Sequence, residues 1–213
     1  MLVIHHLGIS QSDRIVWLCE ELNIPYQLVR YDRDPVTRVA PANYRALHPF
    51  GTAPVIADGD LVLAESGAII EYIIAKYGGG RLTVTKDDPE FADYLFWFHF
   101  ANGSMMPSVM IEFVVNMIGG SASRDSLNAL LARADRAYAL IEKRLGKVSY
   151  FAGSKFTAAD IIMLFPLTTM RVFAPRDLAP YPNIRAYLAR IGARDAYQRA
   201  MRKADPEFKS PLN

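Results

Sequence analysis

The stretch "GTAPVIADGDLVLAESGAIIEY", residues 51–72, decides the fold. Two short apolar runs on either side of "DGD" predict a β-hairpin. The second run ends at Glu65 and Ser66, where the apolar spacing changes to that of a helix. A hairpin that passes into a helix through an acid and a hydroxyl, with Pro54 heading its first strand, needs a physical explanation.

Upstream of the hairpin, the pattern predicts a strand–helix–strand unit and a short helix. Residues 1–7 and 26–31 favour branched and aromatic side chains, as strands do. Between them the apolar positions recur at helical spacing, with Ser10 placed as the N-cap. A short helix is predicted at 41–47, and the helix after the hairpin should reach about Tyr77. Because a strand–helix–strand crossover is right-handed, the first two strands should be parallel in an α/β domain.

The second half of the chain predicts helices. The segment "GGGRLTVTKDDPE" reads as a linker, and strand signals nearly vanish after it. A long apolar segment follows and should form a buried helix, bent near Gly103, Ser104 and Pro107. "FTAADI" carries a capping box from Thr157 to Asp160, which we interpret as structural. The predicted division is an α/β domain over 1–78, a linker over 79–88 and an all-helical domain over 89–213.

Composition and charge narrow the class of protein. The chain has 213 residues, 51% of them hydrophobic, which suffices for one sizeable domain or two small ones. The net charge is +2 and the basic residues are dispersed, so nucleic acid is not expected as a partner. No apolar run approaches the roughly 20 residues of a membrane helix, and the start lacks a secretory signal. With one cysteine, Cys19, we expect a reducing cytoplasm and no disulfide framework.

The sequence gives little support for a metal site or for a serine-hydrolase active site. His5 and His6 are neighbours on a predicted strand, so their side chains point to opposite faces. His48 and His99 form no metal-spaced pair with them, and we expect no metal site. No G-x-S-x-G elbow is present, so the chain does not predict a hydrolase of that type.

Four stretches, in this order and spacing, resemble the cytosolic glutathione S-transferases: "SQSDRIVWLCEEL", "HPFGTAPVI", "LAESGAIIEYI" and "FTAADI". The details are closest to bacterial and fungal members that use serine rather than tyrosine. The resemblance covers nearly the whole chain and implies an α/β thioredoxin-like N-terminal domain plus an all-α C-terminal domain. It also implies a transferase of detoxification with glutathione as co-substrate, no metal, and a cytoplasmic homodimer.

The resemblance implies a function for the residues where the hairpin passes into the helix. In the family the proline matching Pro54 is cis, which turns the backbone of Ala53 outward to pair with a peptide. Glutathione is such a peptide. Ser66 would hold its γ-glutamyl carboxylate at the helix N-terminus, and Glu65 would pair with its ammonium. The alternative is that Ser66 only caps the helix and Glu65 only faces its dipole.

One position departs from the family pattern. Members commonly carry lysine or glutamine two residues before the cis proline, where it holds the glycyl carboxylate of glutathione. This chain has Thr52 there, a weaker and neutral partner. Arg38 is the residue we expect to supply the missing charge.

Ser10 is the predicted activator of the thiol. A free thiol has a pKa of about 8.5 and is mostly protonated at neutral pH. In serine-type members the activating serine stands in an S-x-x-x-R frame, here Ser10 to Arg14. Ser12 is a rival for the contact with sulfur, and Ser10 as a simple helix cap is the alternative. Because no C-x-x-C pair occurs here, dithiol exchange within the chain is excluded.

The acceptor substrate should be an apolar electrophile bound between the domains. One face of the long helix would present Phe98, Asn102, Met105, Met106 and Val109 to it, although such stripes are also typical of a core. Two further functions stay open. One is glutathione-dependent reduction of peroxides or disulfides, and the other is a non-catalytic carrier or interaction protein of the same fold.

Overall fold

The computed structural model describes residues 1–118 and 124–213, with side chains for all of these except 116, 118 and 124–127. Contacts divide the chain into two compact units. The first comprises Met1–Thr83 with Ala193–Ser210, and the second comprises Val84–Gly192 with Pro211–Asn213. The predicted domain limits at 78 and 89 stay a prediction. The grouping differs from them in joining residues 193–210 to the first unit.

The first unit is built on a four-stranded mixed sheet with the order β2-β1-β3-β4. Strand β1 pairs in parallel with β2, as the crossover argument predicts, and β3 is antiparallel to both β1 and β4. Each strand lies within one residue of its predicted bounds. The strands are β1 Leu2–Leu7, β2 Gln27–Tyr31, β3 Val55–Asp58 and β4 Leu61–Ala64.

The helices of the first unit are α1 Asp13–Leu22, α2 Ala42–Arg45, α3 Ser66–Ile73 with a π-helical turn Ile74–Gly78, and α9 Asp195–Ala204. The predicted N-cap at Ser10 is wrong, because α1 begins at Asp13 and Ser12 is its N-cap. The cause is local hydrogen bonding. Ser10 Oγ donates to the Leu7 carbonyl at 2.6 Å and accepts from the Ser12 N–H at 3.3 Å. These bonds hold Ser10 in a turn, so the helix starts three residues later, at Asp13.

Helix α9 belongs to the first unit because it packs against α1. Trp17 and Tyr197 make an edge-to-face contact with ring centroids 5.2 Å apart. The Arg194 guanidinium forms two bonds of 2.7 Å to the Glu21 carboxylate. Such a bidentate pair fixes the relative position of the two helices as well as contributing energy.

Among the described residues of the second unit, the regular elements are all helices, joined by turns and irregular segments. At the position of the predicted bend, a π-helical turn, Ala101–Met105, separates α4 from α5. Pro107 lacks an N–H to bond the Gly103 carbonyl, and Ser108 Oγ bonds the Ser104 carbonyl at 2.7 Å. The helices are α4 Phe91–Phe100, α5 Met106–Ile118, α6 Arg124–Leu145, α7 Ala158–Leu167 and α8 Pro182–Gly192, with a 3₁₀ turn Thr169–Val172.

The predicted fold class is confirmed. The first unit combines the mixed sheet with helices in the thioredoxin-like order, and the second is all-α. Within the part of the chain that the structure describes, no helix combines the length and the apolar character needed to span a membrane.

The predicted capping box opens α7 and is confirmed. Thr157 accepts from the second N–H of the helix, and Asp160 Oδ2 accepts the Thr157 N–H at 2.9 Å. Asp160 is fully buried, and its Oδ1 also accepts the Phe151 N–H at 2.9 Å and the Tyr187 hydroxyl at 3.2 Å. Burial outweighs these hydrogen bonds and raises the pKa of Asp160 to about 6. One carboxylate therefore ties a loop, a helix start and a second helix together.

Replacing Asp160 with alanine should lower the free energy of unfolding by about 3 kcal/mol or more, because several buried donors lose their acceptor. Urea unfolding measures the loss. The matched control is Asp177→Ala, which removes an exposed carboxylate that bonds only the Ala179 N–H at 2.9 Å among its described contacts. That change should cost about 1 kcal/mol or less. Equal losses for both variants would contradict the account.

Candidate active site

The register of the sheet brings three chain segments together. His5 pairs with Val55, and Val55 pairs with Ala64. Because β3 is antiparallel to both neighbours, it begins where β1 and β4 end. We call this end of the sheet the Val55 end. The turn that carries Ser10, the link before β3 and the start of α3 all lie there.

A small apolar cluster supports the Val55 end. Its buried members come from three strands and α2, so it fixes the strand ends relative to that helix. The buried members are Leu7, Tyr44, Val55 and Ala64, and Tyr31, Ala40, Leu47 and Ala53 pack against them. Close packing of this kind allows little movement of the segments above it.

The peptide bond between Ala53 and Pro54 is cis, as the resemblance implies. Ala53 is half-buried and precedes the ladder of β3, whose pairs begin at Val55. Thr52 is exposed beside it, and Pro54 is buried. The three residues therefore lie together at the Val55 end.

Glu65 and Ser66 mark the start of α3 in an unusual way. Glu65 is the N-cap, with φ 74° and ψ 118°, a backbone region that side chains rarely adopt. Its exposed side chain makes no capping hydrogen bond, and Ser66 is the first helical residue rather than the cap. Capping alone therefore does not explain the pair. A strained backbone of this sort costs about 1–3 kcal/mol and is concentrated at functional sites.

Ser10 ends a buried chain of hydrogen bonds. Its Oγ lies 2.8 Å from Ser12 Oγ, which lies 2.8 Å from His6 Nδ1. His6 Nε2 lies 3.0 Å from Asp205 Oδ2. Ser10 is 5% exposed, whereas Ser12 and His6 are completely buried. We call Asp205, His6, Ser12 and Ser10 the buried chain.

Sequence reasoning missed the roles of His6 and Asp205 in this chain. From the sequence, His6 was weighed only as a metal ligand, and Asp205 had no assigned role. The two residues are 199 positions apart, so no local spacing relates them. The one signal available in the sequence was a histidine on the strand that leads into a turn with two serines.

Asp205 also holds the turn that carries Ser10. Its Oδ2 accepts the Ile9 N–H at 3.1 Å, and its Oδ1 lies 3.5 Å from Arg30 Nη2. Burial by itself would raise the pKa of Asp205, but the hydrogen bonds from His6 and Ile9 and the charge of Arg30 outweigh it. The pKa of Asp205 therefore lies below its ordinary value, and the carboxylate is an anion at neutral pH.

The two arginines singled out from the sequence differ in environment. Arg14 is 1% exposed, bonds Gln11 Oε1 at 3.0 Å, and has its pKa lowered by burial to about 10. Arg38 is exposed in the turn that follows β2, with φ 60°. Its carbonyl accepts from Arg33 Nη1 at 3.1 Å. The role of Arg38 toward a glycyl carboxylate stays a prediction.

The residues predicted to face an electrophile are mostly buried. Phe98, Met105, Met106 and Val109 are less than 9% exposed, and Asn102 is half-buried. The second unit carries a groove of about 320 Å³ between the α4–α5 segment and α6, and none of these five residues lines it. Its lining is Phe100, Gly103, Ser104, Pro107, Ser108, Ile111, Arg133, Arg136, Ala137 and Leu140. The electrophile assignment stays a prediction.

Neither Cys19 nor the described acidic and histidine side chains form a reactive-thiol or metal site. Cys19 is completely buried, and burial raises the pKa of its thiol to about 12, so it is a core residue. Among the residues described, no three His, Cys, Asp or Glu side chains group so as to hold a metal ion.

Family models and relatives agree on the relationship of the whole chain. The model for the glutathione S-transferase N-terminal domain matches residues 5–81, and the model for the C-terminal domain matches residues 124–190. Glutathione S-transferase 3 of Schizosaccharomyces pombe is 34% identical over 96% of this chain and 88% of its own length. Glutathione S-transferase 1 of Saccharomyces cerevisiae is 29% identical over 94% of each chain.

Solved structures give the same answer. A glutathione S-transferase from Actinobacillus pleuropneumoniae superposes with a TM-score of 0.88 at 32% identity, covering 100% of this chain and 99% of that one. A family member from Pseudomonas fluorescens, solved with two glutathione molecules bound, gives a TM-score of 0.78 at 21% identity, covering 94% and 92%. This chain belongs to the glutathione S-transferase family.

Proposed function

We propose that this glutathione transferase binds glutathione at the Val55 end of its sheet and activates the thiol for attack on apolar electrophiles. The observation that supports the proposal most strongly is the register of β1, β3 and β4. It gathers a serine turn, an unpaired backbone segment and a helix N-terminus at one place. Each of these features suits a different part of one tripeptide.

The backbone of glutathione would lie alongside Ala53. This residue precedes the first ladder pair of β3, so its N–H and C=O are positioned to pair with an added strand. Main-chain hydrogen bonds of this type supply affinity without requiring a particular side chain. The Pseudomonas fluorescens relative, which shares the fold, was solved with glutathione bound.

The γ-glutamyl end would be held at the start of α3. The first bond of that helix runs from the Ile69 N–H to the Glu65 carbonyl at 2.9 Å, so the N–H groups before Ile69 have no partner within the helix. Such groups attract a carboxylate, and the Ser66 hydroxyl adds a further donor. Glu65, exposed beside them, suits the ammonium group.

Ser10 would stabilise the thiolate of glutathione. A hydroxyl that donates to sulfur favours the anion over the thiol, and the start of α1 three residues later adds its dipole. The thiolate then attacks the electrophile directly, with no covalent enzyme intermediate. Rate would come from the population of thiolate and from proximity.

Several further assignments rest on the family resemblance. We propose that Thr52 and Arg38 contact the glycyl end and that Phe98, Asn102, Met105, Met106 and Val109 contact the electrophile. We also propose a homodimer in the cytoplasm. Activity assays with a panel of aryl halides, enones and hydroperoxides would identify the class of electrophile.

Ser10→Ala should lower kcat/KM for conjugation about 10- to 100-fold at neutral pH, because the thiolate loses its donor. The KM for glutathione should change by about twofold at most, since its other contacts remain. Steady-state assays with an aryl halide measure both constants. Ser154→Ala, an exposed serine of the second unit, is the matched control and should leave both unchanged.

Three outcomes would contradict this assignment. Full activity of Ser10→Ala would remove the serine from the mechanism. Binding of glutathione without turnover of any aryl halide, enone or hydroperoxide would instead favour the carrier function. Activity confined to hydroperoxides or disulfides would favour the reductase function.

Glu65 offers a test that separates backbone strain from binding. Glycine adopts a positive φ without strain, whereas alanine is strained there as glutamate is. Glu65→Gly should therefore be about 1 kcal/mol more stable than Glu65→Ala. Both should bind glutathione at least about tenfold more weakly than the parent, because the ammonium loses its partner. Urea unfolding and isothermal titration calorimetry measure the two effects.

The matched control for Glu65 is Glu71, an exposed residue within α3. There the order of stability should reverse, with glycine about 1 kcal/mol less stable than alanine, and glutathione binding should not change. The same order of stability at both positions would refute the strain argument. Unchanged binding by Glu65→Ala would refute the ammonium contact.

A further inference from the structure

We propose that Asp205, His6 and Ser12 are positioning residues that take up the glutathione thiol proton through Ser10. The inference rests on the proposed function, because it assumes that the thiol of glutathione lies at Ser10. It goes further by assigning the destination of the proton.

The hydrogen-bond partners of His6 fix its tautomer. Asp205 is an anion and accepts only, so the proton of a neutral imidazole lies on Nε2, 3.0 Å from Asp205 Oδ2. Nδ1 is then an acceptor. With this tautomer, Ser12 Oγ, 2.8 Å away, donates its single proton to Nδ1 in preference to the Leu7 carbonyl at 3.3 Å. The Leu7 N–H donates to Ser12 Oγ at 3.1 Å and helps to hold the hydroxyl in place.

In the resting chain we place the Ser10 proton toward the protein, where both of its acceptors lie. Its two acceptors are the Leu7 carbonyl at 2.6 Å and Ser12 Oγ at 2.8 Å. With the hydroxyl oriented in this way, Ser10 cannot donate outward to sulfur. It offers a lone pair instead, which suits a thiol that still carries its proton. The resting chain is therefore ready to accept a proton at Ser10.

Transfer along the chain converts Ser10 from acceptor to donor. The thiol proton moves to Ser10 Oγ, the Ser10 proton moves to Ser12 Oγ, and the Ser12 proton moves to His6 Nδ1. Three bonds to hydrogen break and three form, and no electrons are exchanged with another molecule. The products are a thiolate that accepts from Ser10 and an imidazolium paired with Asp205. After the thioether leaves, the proton returns by the same route to water.

Asp205 has a second task in this scheme, which is to hold the turn. Ile9, directly before Ser10, has φ 52°, which is a genuine outlier for a β-branched residue. Its N–H bonds the same carboxylate oxygen that binds His6. One buried anion therefore fixes both the base and the backbone of the residue before Ser10.

In the proposed transfer the imidazolium of His6 forms beside the carboxylate of Asp205, and three further charged side chains stand near this pair. Arg30 on β2 lies 3.5 Å from the far oxygen of the carboxylate, and Asp13 and Arg14 stand at the start of α1. Asp13 and Arg14 offset one another, since the charge of Asp13 raises the pKa of Arg14 against its burial. Asp205 is the carboxylate in direct contact with His6.

The main alternative is a purely structural role, in which the buried chain only pins the segment after α9 to β1. The two roles predict different effects for variants that cannot pass a proton to position 6. His6→Asn retains an acceptor for Ser12, and Ser12→Ala breaks the chain with the loss of one atom. A structural role predicts lower stability with little change in the acidity of the bound thiol.

The decisive experiment titrates the ultraviolet absorbance of thiolate in the complex with glutathione, for the parent, His6→Asn and Ser12→Ala. Both variants should raise the pKa of the bound thiol by about one unit and lower kcat/KM about tenfold, with KM for glutathione unchanged. His5→Asn is the matched control. Its ring is on the other face of β1, where it bonds the Tyr31 hydroxyl at 3.0 Å, and the change should leave the thiol acidity unaltered.

Combination with Ser10→Ala tests whether these residues act through Ser10. In that background neither His6→Asn nor Ser12→Ala should cause a further loss, because residues of one chain are not additive. Losses that multiply, or a bound thiol as acidic as in the parent, would overturn the relay. If His6→Asn fails to fold, Ser12→Ala decides the matter alone. Failure of the parent to bind glutathione, or full activity of Ser10→Ala, would overturn the proposed function instead.

Discussion

The antiparallel pairing of β3 with β1 and β4 is the constraint on which the site depends. His5, Val55 and Ala64 lie side by side. The chain therefore leaves β1 and β4 at the same end of the sheet at which it enters β3. A shift of one residue in this register would turn every side chain of β3 to the opposite face. It would also separate the serine turn from the start of α3. The buried cluster around Tyr44 opposes such a shift.

Two strained residues flank that place, and each is held by a different means. Ile9 is stabilised by the carboxylate of Asp205, which reaches it from the segment after α9. Glu65 is fixed between β4 and α3, with its carbonyl accepting the first bond of the helix. Strain on both sides of a prospective ligand, supported by buried polar contacts, is characteristic of a preorganised site. Residues 193–210 therefore both pack against α1 and, through Asp205, bond the turn that carries Ser10.

The sequence predicts those features that local chemistry determines. Alternation and turn residues predict the strands, Pro107 predicts the irregular helix, and Thr157 with Asp160 predicts the capping box. Prediction fails where the structure depends on contacts that residue spacing does not reveal. The start of α1 moves because Ser10 bonds the Leu7 carbonyl, and the partnership of His6 with Asp205 crosses nearly the whole chain. Periodicity carries no information about either contact. The sequence thus predicts the segments that form the candidate site but not the contacts between distant residues within it.

A crystal structure of the complex with glutathione tests the central claim most directly. The account predicts that the peptide lies along Ala53, with its γ-glutamyl carboxylate at the first turn of α3 and its sulfur in contact with Ser10 Oγ. Glutathione bound in the groove between α5 and α6, or at the Val55 end with its sulfur remote from Ser10, would contradict it.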